Sequence, residues 1–224
     1  MNKVKMLFVA DNAVSDELLH CLYTSVRFKD EKVANLEEEF KIWREGRMIH
    51  IIIDEDKIEN DSDIFSFYDA STKRAVRVKL LKKSAYTAPD FEIGEVVDVS
   101  GVFSYSYKYR NDNDAVEVCP INLNGKFKPG SKQKFLNYIQ HETGLNFIDA
   151  VDSKDDVRVE RLFTDEQCIY NNNVSKKVLF RNVIMLRATV KVVDPEKVKA
   201  LFTRMVGKRK SYGFGHLAVE RVVA

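Results

Sequence analysis

The sequence predicts an α+β protein made of two consecutive units. Each is expected to be a four-stranded antiparallel sheet with two helices on one face. Three observations carry this expectation. Short β-rich runs alternate with helical stripes in the order strand–helix–strand–strand–helix–strand, and the order occurs twice. A stretch at 83–95 containing Pro89 and Gly94 separates the two passes. The chain has 224 residues, enough for two small domains, and its 45% hydrophobic and 31% charged residues are the balance of a globular chain with a core.

In the first unit, residues 3–10 (KVKMLFVA) read as a buried strand. Ser15 or Asp16 caps a helix to about Val26, with Leu18, Leu19, Leu22 and Val26 forming an apolar stripe. EEFKIWREGRMIHIIID is two β-rich runs joined at Glu45-Gly46, which predicts a hairpin. A short element around Ile64–Tyr68 is expected to form one or two helical turns, and residues 75–81 alternate as a closing strand. The unit is bounded at 1–93.

The second unit, 95–224, opens at Val96. Val97, Val99, Phe103, Tyr105, Tyr107 and Tyr109 alternate along one expected strand. The loop NGKFKPGSKQK leads into a helix at about 131–142, where Phe135, Tyr138 and Ile139 share a face and Gly144 is the stop. Strands are expected at 157–163 and 178–193. Asp194-Pro195 starts a helix carrying Val198, Leu201, Phe202 and Met205. The chain closes on an apolar strand at 215–223.

Several function classes are disfavoured. No apolar run approaches the roughly 18 residues of a membrane span. Met1–Ala10 has no small-residue cleavage site, so no signal peptide is expected. Cys21, Cys119 and Cys168 are odd in number and far apart, which suits a reducing, cytoplasmic setting. Without C-x-x-C or His-x-x-x-His spacing, neither a structural metal nor a cofactor is expected. The net charge of +2 is unevenly divided: residues 1–100 hold 15 Lys+Arg against 20 Asp+Glu, and residues 101–224 hold 21 against 14. The basic second half suggests a polyanion partner.

The most informative stretch is Gly207-Lys208-Arg209-Lys210-Ser211-Tyr212-Gly213-Phe214-Gly215. Its glycines let a backbone bend sharply and approach a ligand, its amides can cradle phosphates, and its cations supply charge, with Arg204 one turn earlier. Tyr212 and Phe214 stack or pack. The loop follows a helix and precedes a strand, so it is not a P-loop. A tight turn with solvated lysines explains the same residues.

The run from ATVKVVDPEKVKALF through MVGKRKSYGFGHLAVERV resembles the end of the CRISPR repeat-RNA endoribonucleases of the CasE type, found in type I-E systems, within the repeat-associated RNA-binding superfamily. In that family a strand, an Asp-Pro-type helix start and a loop G-x-G-x-x-K-[SA]-x-G-x-G-L-L follow in order. Gly207, Lys210, Ser211, Gly213, Gly215 and Leu217 fall on the pattern, Met205 replaces its first glycine, and His216 replaces a leucine. Ala188 stands where the family often has glycine. The N-terminal strand, the helix bearing Leu19-His20, and SKQKFLNYIQHETGLNF are similar to the family as well.

The resemblance implies tandem ferredoxin-like (RRM-like) domains that bind a repeat hairpin in precursor CRISPR RNA. It implies a metal-free cut at the 3′ base of the stem, leaving a 5′-hydroxyl and a 2′,3′-cyclic phosphate. The product would stay bound, in a surveillance complex with other subunits. His20 matches the family's catalytic histidine by position, and an imidazole suits general acid or base work near neutrality. Alone on a helix, such a histidine is more often structural. Glu17 stands where some relatives have tyrosine, so Glu17 or Tyr23 would orient His20, and Ser25 stands where some have lysine. Arg27 or Lys29 would then supply charge. Cys21 points about 100° away from His20 on a helix and does not meet it. His50, His141 and His216 read as packing, helix-end and strand-start residues.

A hairpin stem is read through phosphates and groove shape. Candidate contacts are Lys126 and Lys128 before Gly130, Lys132 and Lys134, Lys176 and Lys177 in an expected basic hairpin, Arg181, and the 208–210 cations. Base stacking on Phe103 and the tyrosines after it is the lesser reading, because aromatics along one face are more often core. Two alternatives remain: a non-catalytic RNA-binding subunit of the same superfamily, and a small basic RNA-binding protein unrelated to CRISPR.

Overall fold

The computed structural model describes residues 2–26, 40–58, 60, 62–69, 74–104, 107–110, 115–121, 126–147, 156–161, 182–207, 210 and 213–222. In chain order the first half comprises β1 (Lys3–Ala10), α1 (Asp16–Val26), β2 (Lys41–Glu45), β3 (Met48–Asp54), β4 (Ile64–Asp69) and β5 (Arg74–Ala85). The second half comprises β6 (Val96–Ser104), β7 (Tyr107–Arg110), β8 (Ala115–Val118), α2 (Ser131–Thr143), β9 (Leu145–Asn146), β10 (Asp156–Arg161), β11 (Asn182–Val192), α3 (Pro195–Ala200) and β12 (His216–Arg221).

The first sheet runs β2-β3-β1-β5-β4, and the second runs β10-β11-β6-β12 with β9 paired to β11. All their pairings are antiparallel. With β4 and β9 set aside, both sheets place their strands in the order second, third, first, fourth. The sequence repetition in element order is therefore a repetition of topology.

Strict alternation builds the first core. Val4, Met6, Phe8 and Ala10 point inward from β1, and Ile49, Ile51 and Ile53 do so from β3. They meet Leu18, Leu19, Leu22 and Val26 of α1, the stripe expected from the sequence. The Ser15 hydroxyl accepts from the Leu18 amide at 3.1 Å, so Ser15 is the cap. In the second core, Phe135 and Ile139 of α2 pack with Val97, Val99, Ile184, Leu186 and Val190. Gly144, with φ 69°, ends α2. The Asp194 carboxylate accepts from the Lys197 amide at 3.1 Å and starts α3.

Four expectations need correction. Ile64–Tyr68 is not helical; it is strand β4, paired with β5 from Ile64↔Lys79 to Asp69↔Arg74. Phe65 faces the core, whereas Ile64 and Tyr68 are 58% and 70% exposed, an alternation with period two. The first unit therefore has five strands and, among the described residues, one α-helix instead of two. The strand expected from Val96 through Tyr109 is divided: β6 ends at Ser104, and β7 pairs with β8 as a separate ribbon. β5 continues to Ala85, beyond the expected start of the connection at 83. α3 ends at Ala200, not near Met205, because Met205 leaves the second unit and is buried in the first core.

The return from that excursion leaves no space at Gly215. Its amide donates to the Val102 carbonyl at 2.7 Å and its carbonyl accepts from the Val206 amide at 2.9 Å. A Cβ there, at φ +81°, would lie 1.7 Å from the Val206 oxygen. Gly215→Ala is expected to lower stability by about 2 kcal/mol or more, read as a lower urea midpoint at unchanged slope.

Candidate nucleic-acid interface

The glycine-rich segment lies where the two sheets meet. Gly207 and Gly213 have φ of 90° and 87°, values that suit glycine. A Cβ on Gly213 would stand 3.0 Å from Leu19 Cδ1, so the loop backbone rests on α1 beside the residue that precedes His20. The structure thus brings the loop and the histidine-bearing helix together. Lys210 is half-buried, while Lys208, Arg209, Ser211 and Tyr212 lie outside the described residues, as do Lys176, Lys177, Arg181, Arg27 and Lys29. Phe214 is buried, which makes it a packing residue.

His20 is half-buried on α1, and burial lowers its pKa below the usual 6.5. Glu17 occupies the first turn of the same helix, and its side chain lies outside the described residues. Tyr23 is 2% exposed and its ring stacks on Phe40 at 4.1 Å between centroids, inside the first core. A ring so enclosed does not face a phosphodiester at the surface, and Tyr23 is set aside as a reacting group. The Ser25 hydroxyl donates to the Cys21 carbonyl at 2.8 Å, back onto its own helix.

The second-half candidates separate. Lys126 and Lys128 are exposed on the segment entering α2, with Lys132 and Lys134 exposed in its first turns. Arg204 does not join the loop cations; its guanidinium donates to the Glu142 carbonyl at the end of α2, at 2.6 Å. Among the described residues, no three His, Cys, Asp or Glu side chains gather as a metal site.

A cluster at the junction was missed in the sequence reading. Lys41 is 5% exposed, and its Nζ donates to the Leu201 carbonyl at 2.7 Å and the Leu217 carbonyl at 2.9 Å. Next along β2, Trp43 lies between two imidazoles: His50 at 4.6 Å and 7°, and His216 at 4.8 Å and 22°. Lys5 stands over the same indole at 5.4 Å. Burial, and then the Lys5 charge, push the Lys41 pKa down to about 7. Burial also lowers His216, assisted by Lys41 and His50, and lowers His50, where Glu45 opposes the shift from 3.5 Å. The one available signal was alternation: Lys41 and Trp43 share the face of β2 opposite the buried Ile42.

Two sheets of one strand order, with a basic glycine loop packed across their junction, define a protein of two tandem ferredoxin-like units. No protein-family model matches the chain, and no curated protein matches it in sequence. Solved structures do match. Thermus thermophilus Cse3 bound to an RNA representing a pre-cleavage complex has a TM-score of 0.57 at 14% identity, over 98% of this chain and 99% of that one. The CRISPR-associated protein Cas6e from Escherichia coli K-12 has 0.50 at 10% identity, over 98% and 100%. A chain of a CRISPR RNA-guided surveillance complex has 0.50 at 12% identity, over 98% and 100%. The protein has the fold of the CRISPR endoribonuclease Cse3 and of Cas6e along nearly its whole length. No helix among the described residues is long and apolar enough to cross a membrane.

The Lys41 shift sets a direction for stability against pH. Its pKa is about 7 folded, against the 10.5 of an ordinary solvated lysine, so between these the unfolded chain holds the extra proton. Stability contributed by this group therefore rises with pH across that window, by at most about 1.4 kcal/mol per unit, and is flat below it. Chemical denaturation of wild type and Lys41→Met between pH 6 and 10, about the range of the titration, is expected to show wild type gaining on the variant as pH rises.

Proposed function

We propose that this protein is a metal-independent endoribonuclease that binds the hairpin of CRISPR repeat RNA and cuts precursor CRISPR RNA at the 3′ base of the stem. The observation that carries the reading is the basic glycine loop lying on the helix of a half-buried histidine, in a chain whose fold follows Cse3 end to end. Lys208, Arg209, Lys210, Ser211 and Tyr212 hold phosphates at the foot of the stem, on a turn shaped by Gly207, Gly213 and Gly215, the amides of Gly213 and Gly215 being bonded within the fold. Lys126, Lys128, Lys176 and Lys177 follow the stem backbone by charge. The unit 1–93 brings the histidine and the unit 95–224 brings the loop.

In the cleavage step the 2′-hydroxyl gives its proton to His20 and its oxygen attacks the adjacent phosphorus. The bond to the 5′-oxygen breaks, and that oxygen takes a proton from an acid or from water. A 2′,3′-cyclic phosphate and a 5′-hydroxyl result, with no net gain or loss of atoms. Burial keeps the His20 imidazole neutral at pH 7, the form that accepts a proton, which favours the base role. The product hairpin stays bound, and the protein works in the cytoplasm as a subunit of a surveillance complex. The match to a chain of such a complex supports that partner class.

A second reading is a hairpin-binding subunit that does not cut. It is favoured by Ser25, whose hydroxyl is spent on its own helix where some relatives carry a lysine, and by the enclosure of Tyr23. Cleavage of a labelled cognate hairpin in EDTA decides between them. Wild type is expected to cut, and His20→Ala to bind with unchanged affinity while cutting about 100-fold or more slowly. If both bind and neither cuts, the second reading replaces the first. The pH dependence of kcat/KM for wild type is expected to rise to a plateau reached near pH 7, with its inflection below about 6.5, the ordinary imidazole value. A rate that falls through this range would make His20 the acid.

A further inference from the structure

A buried lysine is an expensive choice for the position of Lys41. Taking an amine out of water forfeits its hydration unless partners replace it, and a methionine of similar length would fill the space beside Ile52 without that loss. The amine adds two directed hydrogen bonds, and their targets are specific. Leu201 follows α3 and Leu217 is the second residue of β12, so the two carbonyls bracket the segment carrying Gly207, Lys210, Gly213 and Gly215. The next two residues of β2 reach the same segment. The Ile42 amide donates to Met205 Sδ at 3.3 Å, and the Trp43 ring stacks on His216. Three consecutive residues of the first sheet thus hold a single loop of the second.

We propose that Lys41 is the positioning residue of the glycine-rich loop: its amine closes the base of the loop and fixes it against the helix of His20 in the geometry that receives RNA phosphates. The inference rests on the loop being the phosphate-binding element. The chemistry fits either protonation state, because a neutral amine has two N–H donors for two carbonyls and an ammonium has one more.

The test compares wild type with Lys41→Met in two measurements. In amide hydrogen exchange of the RNA-free protein, Val206 and Gly215, both hydrogen-bonded amides of the loop, are expected to exchange about 10-fold faster in the variant, with β1 and β3 unchanged. In binding to the repeat hairpin, affinity is expected to fall about 10-fold and the slope of log K against log salt to become shallower by about one phosphate contact. A variant that is merely less folded would lose affinity with the slope intact. In a protein already carrying Lys208→Ala, Arg209→Ala and Lys210→Ala, adding Lys41→Met is expected to change affinity less than about 2-fold, because Lys41 acts through the loop.

Unchanged exchange at Val206 and Gly215 overturns the proposal, as does an unchanged salt slope or full additivity with the loop substitutions. If Lys41→Met does not fold, Lys41→Gln, which keeps a two-hydrogen donor on a shorter stem, takes its place. Failure of both to fold would make Lys41 a folding residue and overturn its positioning role. If wild type does not bind the hairpin, the proposed function falls, and the exchange comparison still decides whether Lys41 sets the loop.

Discussion

The two sheets are joined by a short run of β2, and the rest of the candidate interface depends on that run. Lys41 holds two carbonyls of the second half, Ile42 meets the sulfur of Met205, and Trp43 receives the ring of His216. The contacts differ in kind. Burying a methionine is worth roughly 1.5–3 kcal/mol, and an offset aromatic stack roughly 0.5–1.5 kcal/mol. The hydrogen bonds of Lys41 contribute mainly direction, since their gain is offset by the loss of hydration. Cohesion comes from Met205 and Trp43, and register of the loop from Lys41.

The same junction holds the glycines of the loop in place. Gly207, Gly213 and Gly215 all take positive φ, a region that glycine enters as readily as the other, so the surrounding structure selects it here. That structure is supplied by Leu19 beneath Gly213 and Val102 bonded to Gly215, both outside the loop, and by Val206 at the loop's own base. Anchoring a glycine-rich segment at these points reduces the conformational freedom left for a ligand to remove.

Much of the fold was legible in the sequence because its signals are local. β1 alternates strictly, α1 has an apolar stripe behind a serine cap, and Asp194-Pro195 announces α3 within two residues. The failures share a cause. Six residues, IFSFYD, are too few to separate a period of two from one of 3.6, so β4 was read as helix. Met205 fits the helical stripe of α3 in sequence, yet its partner is the core of the other unit, which local pattern does not record. In the candidate site, the glycines and His20 were visible as residue types. Tyr23 could have been placed in the core, since it falls four residues after Leu19 on the buried side of α1. Alternation sets Lys41 on a face of β2, but its role is not legible locally because its two partners lie 160 and 176 residues away.

Met205 also bears on how the chain is made. The first sheet leaves the ribosome long before the residue that completes its core, because Ile42 and Met205 are separated by 163 positions. Domains usually fold one at a time as they emerge. Here the N-terminal half must wait, with the floor of its core open, until nearly the whole polypeptide has been synthesised. A chain cut short in the second half before Met205 would therefore lose more than the glycine-rich loop: it would leave the first half with an apolar gap that chaperones or proteases can recognise.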